Sequence, residues 1–444
     1  MNIKKKIHQK VKLTGFEELK KKVWFLIISL LVFRIGSFIP IPGINTHVLQ
    51  NFLDQKTNGT LLEMLNMFSG GSLSRSSIFA LGVMPYISAS IMMQFLTFFV
   101  PYFKKIKKDV IYGQNKLEQY TKYITLFFSF IQSTGILMGL PLIPGMQNIL
   151  LKNNFLFHII SVLSLVVGTI FLMWLGELIT SNGLGNGISL IIFVGIMAGL
   201  PSSILKTLEK FQQHEINIFL LFVMISLIFL IIFLVTFVER SQRKILVFYA
   251  KRQNNRNLTT SQNSYLPLKV NMAGVMPAIF ASSVILLPSI FLTYLSNFLQ
   301  IKNDVVYYAS FLKPHSFLYL SLYVFLTVFF CFFYTGFTFN VSDVSNNLKK
   351  SGAFLPGIRP GPNTAQYISS IVFNLTCIGA MYIIFICLLP DFMRYFFHVP
   401  FYFGGTSLLI VVSVIIEFIS QLQTLLISTQ YKAVLKKSNL YFKH

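Results

Sequence analysis

The sequence predicts an all-α polytopic membrane protein with ten membrane-spanning helices. Its 444 residues are 54% hydrophobic and 11% charged, which is more apolar surface than one soluble core can bury. The apolar runs reach the roughly 20 residues that a helix needs to cross about 30 Å of hydrocarbon. Basic residues separate these runs unevenly. The expected spans are 23–42, 76–101, 120–140, 155–177, 186–205, 216–238, 272–297, 315–339, 367–390 and 404–427.

The basic residues predict which side of the membrane each gap occupies. Of the 37 Lys and Arg residues, 28 lie at the two ends and in alternate gaps between spans. Because Lys and Arg resist translocation, this side is predicted to be cytoplasmic, together with both termini. The net charge of +23 is therefore attributed mostly to membrane sidedness and contact with anionic lipid, and not to nucleic acid. The first span has no small-residue cleavage pattern after it and is expected to be retained.

Three local patterns suggest features beyond the spans. Residues 15–22 favour a short amphipathic helix at the membrane interface. Leu61, Leu62, Leu65 and Phe68 have helical spacing in a segment too short to cross the membrane, so this segment lies on the surface or folds back into a cavity. The glycines of SNGLGNG, between spans four and five, allow a tight turn, or a broken helix at a transport site.

The spans suggest a domain organisation. Ten spans divide into two sets of five, and an odd-numbered set inserts in the opposite sense to its copy, so this division allows an inverted repeat. The basic segments 239–271 and 341–366 are predicted to be cytoplasmic docking surfaces for a soluble partner with an anionic face. The expected division is a cytoplasmic segment 1–22, a first half 23–205, a second half 206–427 and a cytoplasmic tail 428–444.

The sequence contains no pattern of catalytic chemistry. We find no catalytic dyad, metal-ligand spacing or phosphate-binding glycine loop, so neither an enzyme nor a cofactor is predicted. Cys331, Cys377 and Cys387 occur singly in apolar spans and are interpreted as small core residues. Arg34, Glu177 and Glu417 lie in or near spans, where a pump would use such charges as an ion relay. They are too few to favour that function, and a secondary transporter of a small solute remains the alternative.

Seven segments resemble one protein family closely. The chain is similar to the SecY family, the central channel subunit of the bacterial Sec protein translocase, and is closest to its proteobacterial members. The segments occur in the family's order along nearly the whole chain. They are FRIGSFIPIPGI (33–44), MFSGGSLSRSSIFALGVMPYISASIMMQ (67–94), WLGELITSNGLGNGISLIIF (174–193), VERSQRKILVFYAKR (238–252), LPLKVNMAGVMPAIFASS (266–283), NLKKSGAFLPGIRPG (347–361) and VPFYFGGTSLLIVV (399–412).

The resemblance implies two inverted five-helix halves around a central pore. Within it, a ring of aliphatic side chains would close around a moving polypeptide without offering it hydrogen bonds, and would resist water and ions by dewetting. The ring residues implied are Val83, Ile87, Ile188, Ile192, Ile279 and Ile410. Val83 stands where isoleucine is usual in the family. From the residues alone, such side chains would be expected to face lipid or a neighbouring helix.

The resemblance also implies a plug and a lateral gate. The plug would be the segment of about 61–73, whose small residues would let it retract; the residues assigned to it are Leu65, Phe68, Ser69, Gly70 and Gly71. The lateral gate would lie between spans two and seven, where polar groups can bond weakly across a helix interface. Its residues would be Ser88, Ser90, Gln94, Ser282 and Ser283. Ordinary helix packing by small residues is the alternative.

The resemblance finally implies a function, partners and a location. The chain would conduct unfolded secretory proteins across the bacterial cytoplasmic (inner) membrane and release membrane-protein segments laterally. Its implied partners are SecE-like and SecG-like subunits, the SecA motor ATPase, translating ribosomes, signal-sequence-bearing polypeptides and membrane lipids. Basic loop residues would contact ribosomal RNA phosphates or the motor. They are Arg243, Lys244, Lys251, Arg252, Arg256, Lys349, Lys350 and Arg359.

Overall fold

The computed structural model is predominantly helical. It describes residues 2–46, 48–50, 66–109, 112–142, 154–214, 218–249, 264–285, 316–397 and 405–439. In chain order the helices are α1 Asn2–Gly36, α2 Met84–Phe99, α3 Pro101–Lys108, α4 Tyr112–Gly139, α5 Phe155–Asn182, α6 Gly187–Gln212, α7 Ile218–Arg240, α8 Met276–Ile285, α9 Phe317–Thr338, α10 Val341–Lys350, α11 Pro362–Phe397 and α12 Gly405–Asn439. The strands are β1 Gln242–Tyr249, β2 Ser264–Lys269 and β3 Ala353–Phe354.

The chain folds into two compact units. Among the described residues, the first unit contains 2–209 together with 414–439, and the second contains 210–285 and 316–413. Six of the described helices are long and apolar enough to cross a membrane, and α2 with α3 forms a bent pair that meets the same criteria. A multi-pass helical membrane protein is therefore confirmed. The count of ten spans and the inverted repeat stay predictions.

Helix α1 begins well before residue 23, where the first span was predicted to start. The interfacial helix predicted at 15–22 is not a separate element, because α1 continues unbroken from Asn2 into the first span. The helix ends at Gly36, where an added methyl group would overlap the ring of Phe79. The chain then turns. The last six residues of the predicted span, 37–42, thus form a turn and not helix.

Span two also begins later than predicted. Residues 66–83, which we call the plug segment, consist mostly of turns after one helical turn at 66–68, and helix starts only at Met84. The segment is joined to the end of the first span by backbone bonds: Ile41 N–H donates to the Ser76 carbonyl at 2.8 Å, and Ile78 N–H donates to the Ile39 carbonyl at 3.1 Å. The expectation of helix from residue 76 was wrong, because these bonds replace helical ones.

A sharp bend separates α2 from α3. The two helices meet at an angle of 101° around Val100, and Pro101 begins the second of them. Proline fits the first turn of a helix, where its missing N–H is not needed, and disfavours helical conformation in the residue before it. The α3 helix packs on α4, with the ring of Phe103 set edge-on to that of Tyr120 at 5.6 Å between centroids.

The glycine-rich turn between α5 and α6 confirms one prediction. Helix α5 ends at Asn182 and α6 begins at Gly187, so SNGLGNG forms a tight turn between two continuous helices. Thr180 Oγ1 accepts a hydrogen bond from Gly187 N–H at 2.9 Å. An added methyl group at Gly187 would overlap the Gly176 carbonyl. The glycine therefore lets the start of α6 lie directly on the end of α5.

The second unit contains a small sheet that the all-α prediction missed. Strand β1 lies between β2 and β3 and is antiparallel to both. One face of the sheet packs with α10 and α11 in a core that includes Ile245, Val247, Leu268 and Ile371. Ser345 Oγ, which is buried, donates to the Gly361 carbonyl at 2.7 Å and joins α10 to the start of α11. The described parts of the basic segments 239–271 and 341–366 therefore form a folded module.

Candidate functional site

The predicted ring residues lie near the starts of four helices. Val83 is the residue before α2, and its carbonyl accepts the first helical bond from Ile87 N–H at 3.1 Å. Ile188 and Ile192 are in the first two turns of α6, Ile279 is in the first turn of α8, and Ile410 is in the second turn of α12. Val83 and Ile87 are four residues apart, as are Ile188 and Ile192, so the members of each pair are separated by about one helical turn.

The ring residues are covered by protein. Five of them are at most 6% exposed, and Ile188 is partly exposed. Exposed apolar residues are common on the same helices: Met92 on α2 is 45% exposed and Ile204 on α6 is 52% exposed. The ring positions are thus distinct from the outward-facing positions that a lipid-contacting isoleucine would occupy. The five are Val83, Ile87, Ile192, Ile279 and Ile410.

The first part of the plug segment is closed by its own hydrogen bonds. The Asn66 carbonyl accepts from Gly71 N–H at 2.8 Å, and Asn66 Oδ1 accepts from Ser74 N–H at 2.9 Å. Ser69 Oγ accepts from Leu73 N–H at 3.3 Å. Phe68 and Ser69 are 4% and 2% exposed. The predicted plug residue Leu65 lies outside the described residues, as does most of the short helix that its spacing suggested.

Two contacts place this segment against α6 and α1. Gly70 has a left-handed backbone with φ of 71°, and a methyl group added to it would lie 2.8 Å from the Cα atom of Gly195 on α6. Arg34 Nη1 on α1 donates to the Gly70 carbonyl at 3.4 Å. From the sequence alone, Arg34 has no assigned role and Gly195 is not a candidate residue. Only the tertiary structure brings these residues to the plug segment.

An arginine pair adjoins the same segment. The guanidinium carbons of Arg34 and Arg75 lie 5.5 and 4.1 Å from the ring centroid of Phe38, distances at which a cation is attracted to an aromatic face. One Arg75 amino group and the buried hydroxyls of Ser72 and Ser77 have no hydrogen-bond partner among the described residues. The turn therefore contains buried polar groups that the described residues do not satisfy.

The predicted lateral-gate hydroxyls bond within their own helices. Ser88 Oγ donates to the Met84 carbonyl at 3.2 Å, and Gln94 Nε2 donates to Ser90 Oγ at 3.5 Å. Ser282 Oγ and Ser283 Oγ both donate to the Ile279 carbonyl at 2.8 Å. Bonding across the interface between spans two and seven stays a prediction.

The described basic residues of the predicted docking surface are exposed. Arg243 and Lys244 stand at the start of β1, paired with Leu268 and Pro267 of β2, so they lie at the base of this hairpin and not in a loop as expected. Lys349 and Lys350 occupy the last turn of α10, where positive charge complements the helix dipole. Arg359 is in the turn before α11, with its carbonyl bonded to Thr364 Oγ1 at 2.9 Å. Lys251, Arg252 and Arg256 lie outside the described residues.

The other charges near spans do not converge. Glu177 on α5 forms a 2.7 Å ion pair with Lys122 on α4, and both side chains are partly exposed. Glu417 is exposed on α12. Cys331 and Cys387 are buried and Cys377 is partly buried, and none of the three forms a disulfide bond among the described residues. The interpretation of Cys331 and Cys387 as core residues is confirmed.

Comparison with solved structures defines the class of this fold. A structure described as that of a protein-conducting channel matches with a TM-score of 0.66 and 15% sequence identity, covering 94% of each chain. Sec61 from a canine ribosome–channel complex matches with a TM-score of 0.63 and 16% identity, again over 94% of each chain. The chain therefore has the fold of the protein-conducting channels.

Comparison with sequences defines the family. The family model described as SecY matches residues 77–419. The relative named protein translocase subunit SecY in Escherichia coli K12 is 54% identical over 96% of each chain. The relatives of that name in Buchnera aphidicola from Schizaphis graminum and in Vibrio cholerae are 54% and 51% identical, over at least 95% of this chain and 96% of their own. The chain belongs to the SecY family.

Proposed function

We propose that this chain is the channel-forming subunit of a protein translocase in a bacterial cytoplasmic (inner) membrane. It passes unfolded secretory polypeptides across the membrane and releases apolar segments sideways into lipid. The observation that carries this proposal is the relationship at 54% identity, over nearly the full length, to relatives named translocase subunits. That relationship favours a protein channel over a small-solute transporter.

The pore of this channel is closed by the six aliphatic residues. Burial of five of them away from the lipid-facing positions of their helices supports this role. Isoleucine and valine offer a passing chain no hydrogen-bonding group, so the chain meets little friction, and a narrow apolar constriction excludes water when it is empty. The residues are Val83, Ile87, Ile188, Ile192, Ile279 and Ile410.

The plug segment closes the channel at rest. Its own hydrogen bonds and its glycine contact with α6 support this role, because a body that is bonded internally can move without losing those bonds. Ser88, Ser90 and Gln94 on α2 with Ser282 and Ser283 on α8 form the lateral gate. Since the serine hydroxyls find partners on their own helices, the gate opens without leaving them unsatisfied.

Cytoplasmic partners supply the energy and deliver the polypeptide. The exposed basic residues of β1, α10 and the turn at Arg359 support docking of an anionic partner, either a SecA-like motor ATPase or ribosomal RNA phosphates. The matched Sec61 channel comes from a complex with a ribosome. Small membrane subunits resembling SecE and SecG complete the assembly, with both termini of this chain on the cytoplasmic side.

Reconstitution tests the proposal. The chain is placed in lipid vesicles with its small membrane subunits, and the motor ATPase, ATP and a signal-bearing precursor are added outside. The precursor is expected to become protected from protease in an ATP-dependent manner. A precursor without its signal sequence is the matched control and is expected to stay digestible. Equal digestion of both precursors, with and without ATP, would contradict the proposed function.

A further inference from the structure

We propose that Gly195 on α6 and Arg34 on α1 are positioning residues that form the seat of the plug segment and hold it in its closed position. The inference rests on the proposed function, since it assigns the regulation of the same channel. Neither residue belongs to the ring, the gate or the docking surface described above.

The first support is a direct contact between two backbones. A methyl group added to Gly70 would lie 2.8 Å from Gly195 Cα, closer than real Cβ atoms approach a neighbour. A methyl group added to Gly195 would lie 3.4 Å from the Cα and N atoms of Gly70 and from the Phe68 carbonyl oxygen. The plug segment therefore reaches α6 because Gly70 has no side chain, and Gly195 leaves no room for a side chain larger than a methyl group.

The second support is the hydrogen bond from α1. Arg34 Nη1 donates to the Gly70 carbonyl at 3.4 Å, which is long and therefore weak, but it engages the same residue that contacts Gly195. Phe38 lies 5.5 Å from the Arg34 guanidinium and restricts its position. Gly70 is thus held on one side by α6 packing and on another by a cation from α1.

The third support is that the contacts between the plug segment and its seat are weaker than the hydrogen bonds within residues 66–74. Residues 66–74 are fixed to one another by bonds of 2.8 and 2.9 Å to Asn66 and of 3.3 Å to Ser69 Oγ. At Gly195, in contrast, the contact is van der Waals packing between glycines. Packing contacts are lost steeply with small displacements. Residues 66–74 therefore leave their seat as one body while residues 76 and 78 keep their backbone bonds to 39–41, and a side chain at position 195 favours that departure.

The test measures the exposure of the plug segment without any translocation. Ser69, which is 2% exposed, is replaced in a Ser69→Cys variant whose native Cys331, Cys377 and Cys387 are alanine. The chain is reconstituted with its small membrane subunits, and a membrane-impermeant maleimide is added to the vesicles. The labelling rate reports the fraction of time that the segment is out of its seat.

Gly195→Val is compared with Gly199→Val, which adds the same side chain one turn further along α6. An added Cβ atom at Gly199 meets nothing within 4 Å. Overpacking at Gly195 is expected to raise the labelling rate by about 5- to 150-fold, while Gly199→Val stays within about twofold of the parent. Gly195→Ala, whose added methyl group meets its neighbours at 3.4 Å, is expected to give a smaller increase in the labelling rate. It replaces Gly195→Val in the comparison if the valine variant does not fold. Arg34→Gln is expected to give an increase of about fivefold.

The outcomes separate this inference from the proposed function. If the parent translocates a precursor but Gly195→Val and Gly195→Ala label no faster than Gly199→Val, the seat is wrong and the channel function stands. If the parent translocates nothing while Gly195→Val labels rapidly and Gly199→Val does not, the seat stands and the function is wrong. Equal acceleration in both valine variants would also overturn the seat, because it would reflect general loosening of α6.

Discussion

At the scale of single residues, the channel proposal depends on where aliphatic side chains point. Ile192 is 4% exposed, whereas Met197, five residues later on the same helix, is 37% exposed. Residues this far apart on an α-helix project from different faces. The sequence supplied the spacing of Ile188 and Ile192, but spacing cannot distinguish a pore-facing pair from a lipid-facing pair. Burial in the folded chain and the family relationship make that distinction.

Replacing Ile192 by serine is expected to raise ion leak while a polypeptide occupies the channel. A hydroxyl in the constriction offers water a hydrogen bond and weakens dewetting. Met197→Ser is the matched control and is expected to leave the conductance unchanged. Electrical recording of reconstituted channels with a stalled translocating chain measures the leak. Equal conductance in the parent and Ile192→Ser would remove Ile192 from the ring.

Neutralising Glu177 distinguishes the channel from the solute transporter. In Glu177→Gln the ion pair with Lys122 is lost, but both side chains are partly exposed, so unfolding should become easier by at most about 1 kcal/mol. Precursor translocation is expected to continue at the parental rate. Thermal unfolding in detergent and the protease-protection assay measure the two effects. Loss of transport in a well-folded Glu177→Gln protein would instead favour an ion relay.

At the scale of elements, the structure departs from the hydropathy pattern in two places. Residues 76–83 are apolar enough to extend span two, yet Ser76 and Gly82 take left-handed backbone conformations and the chain pairs with residues 39–41. Such long-range pairing leaves no local signal in the sequence. The sheet was missed for a different reason, because β2 is short, contains Pro267 and lies at an edge, where proline needs no ladder bond.

The packing of α5 against the plug segment gives a prediction at this scale. A methyl group added to Gly168 on α5 would overlap the Ile78 carbonyl, whereas one added to Gly336 on α9 would meet nothing within 4 Å. Gly168→Ala is expected to lower the free energy of unfolding by about 1–3 kcal/mol. Gly336→Ala, in an exposed helix position, is expected to raise it by about 0.5–1 kcal/mol. Denaturation in detergent measures both, and equal stability of the two variants would contradict the packing.

At the scale of the whole molecule, composition and charge distribution predict more of the architecture than any single motif does. Membrane class followed from apolar runs alone, and family membership followed from segments spread along the chain. The same reasoning could not supply the seat of the plug segment, since Gly70 and Gly195 are distant in sequence. Local pattern therefore gives elements and sidedness, and contacts between distant glycines come only from the fold.

The sidedness derived from charge predicts how single cysteines label. In a chain whose native cysteines are alanine, Lys350→Cys is expected to react with an impermeant maleimide only from the cytoplasmic face. Asn154→Cys, exposed at the start of α5, is expected to react only from the opposite face. Intact cells and inverted vesicles compare the two faces. Reaction of both cysteines from the same face would contradict the predicted topology.

The bend of 101° between α2 and α3 has a consequence for how span two moves. With α2 along the membrane normal, α3 lies almost parallel to the surface. It carries exposed Lys104, Lys105 and Lys107 where lipid phosphates attract them, and Tyr102 is 57% exposed beside them. In the predicted topology, this arrangement anchors the cytoplasmic end of the span at headgroup depth. Movement of α2 along the membrane normal would carry these lysines into hydrocarbon. Tilting of α2 about its junction with α3 would not, so tilting is the motion that this anchor permits.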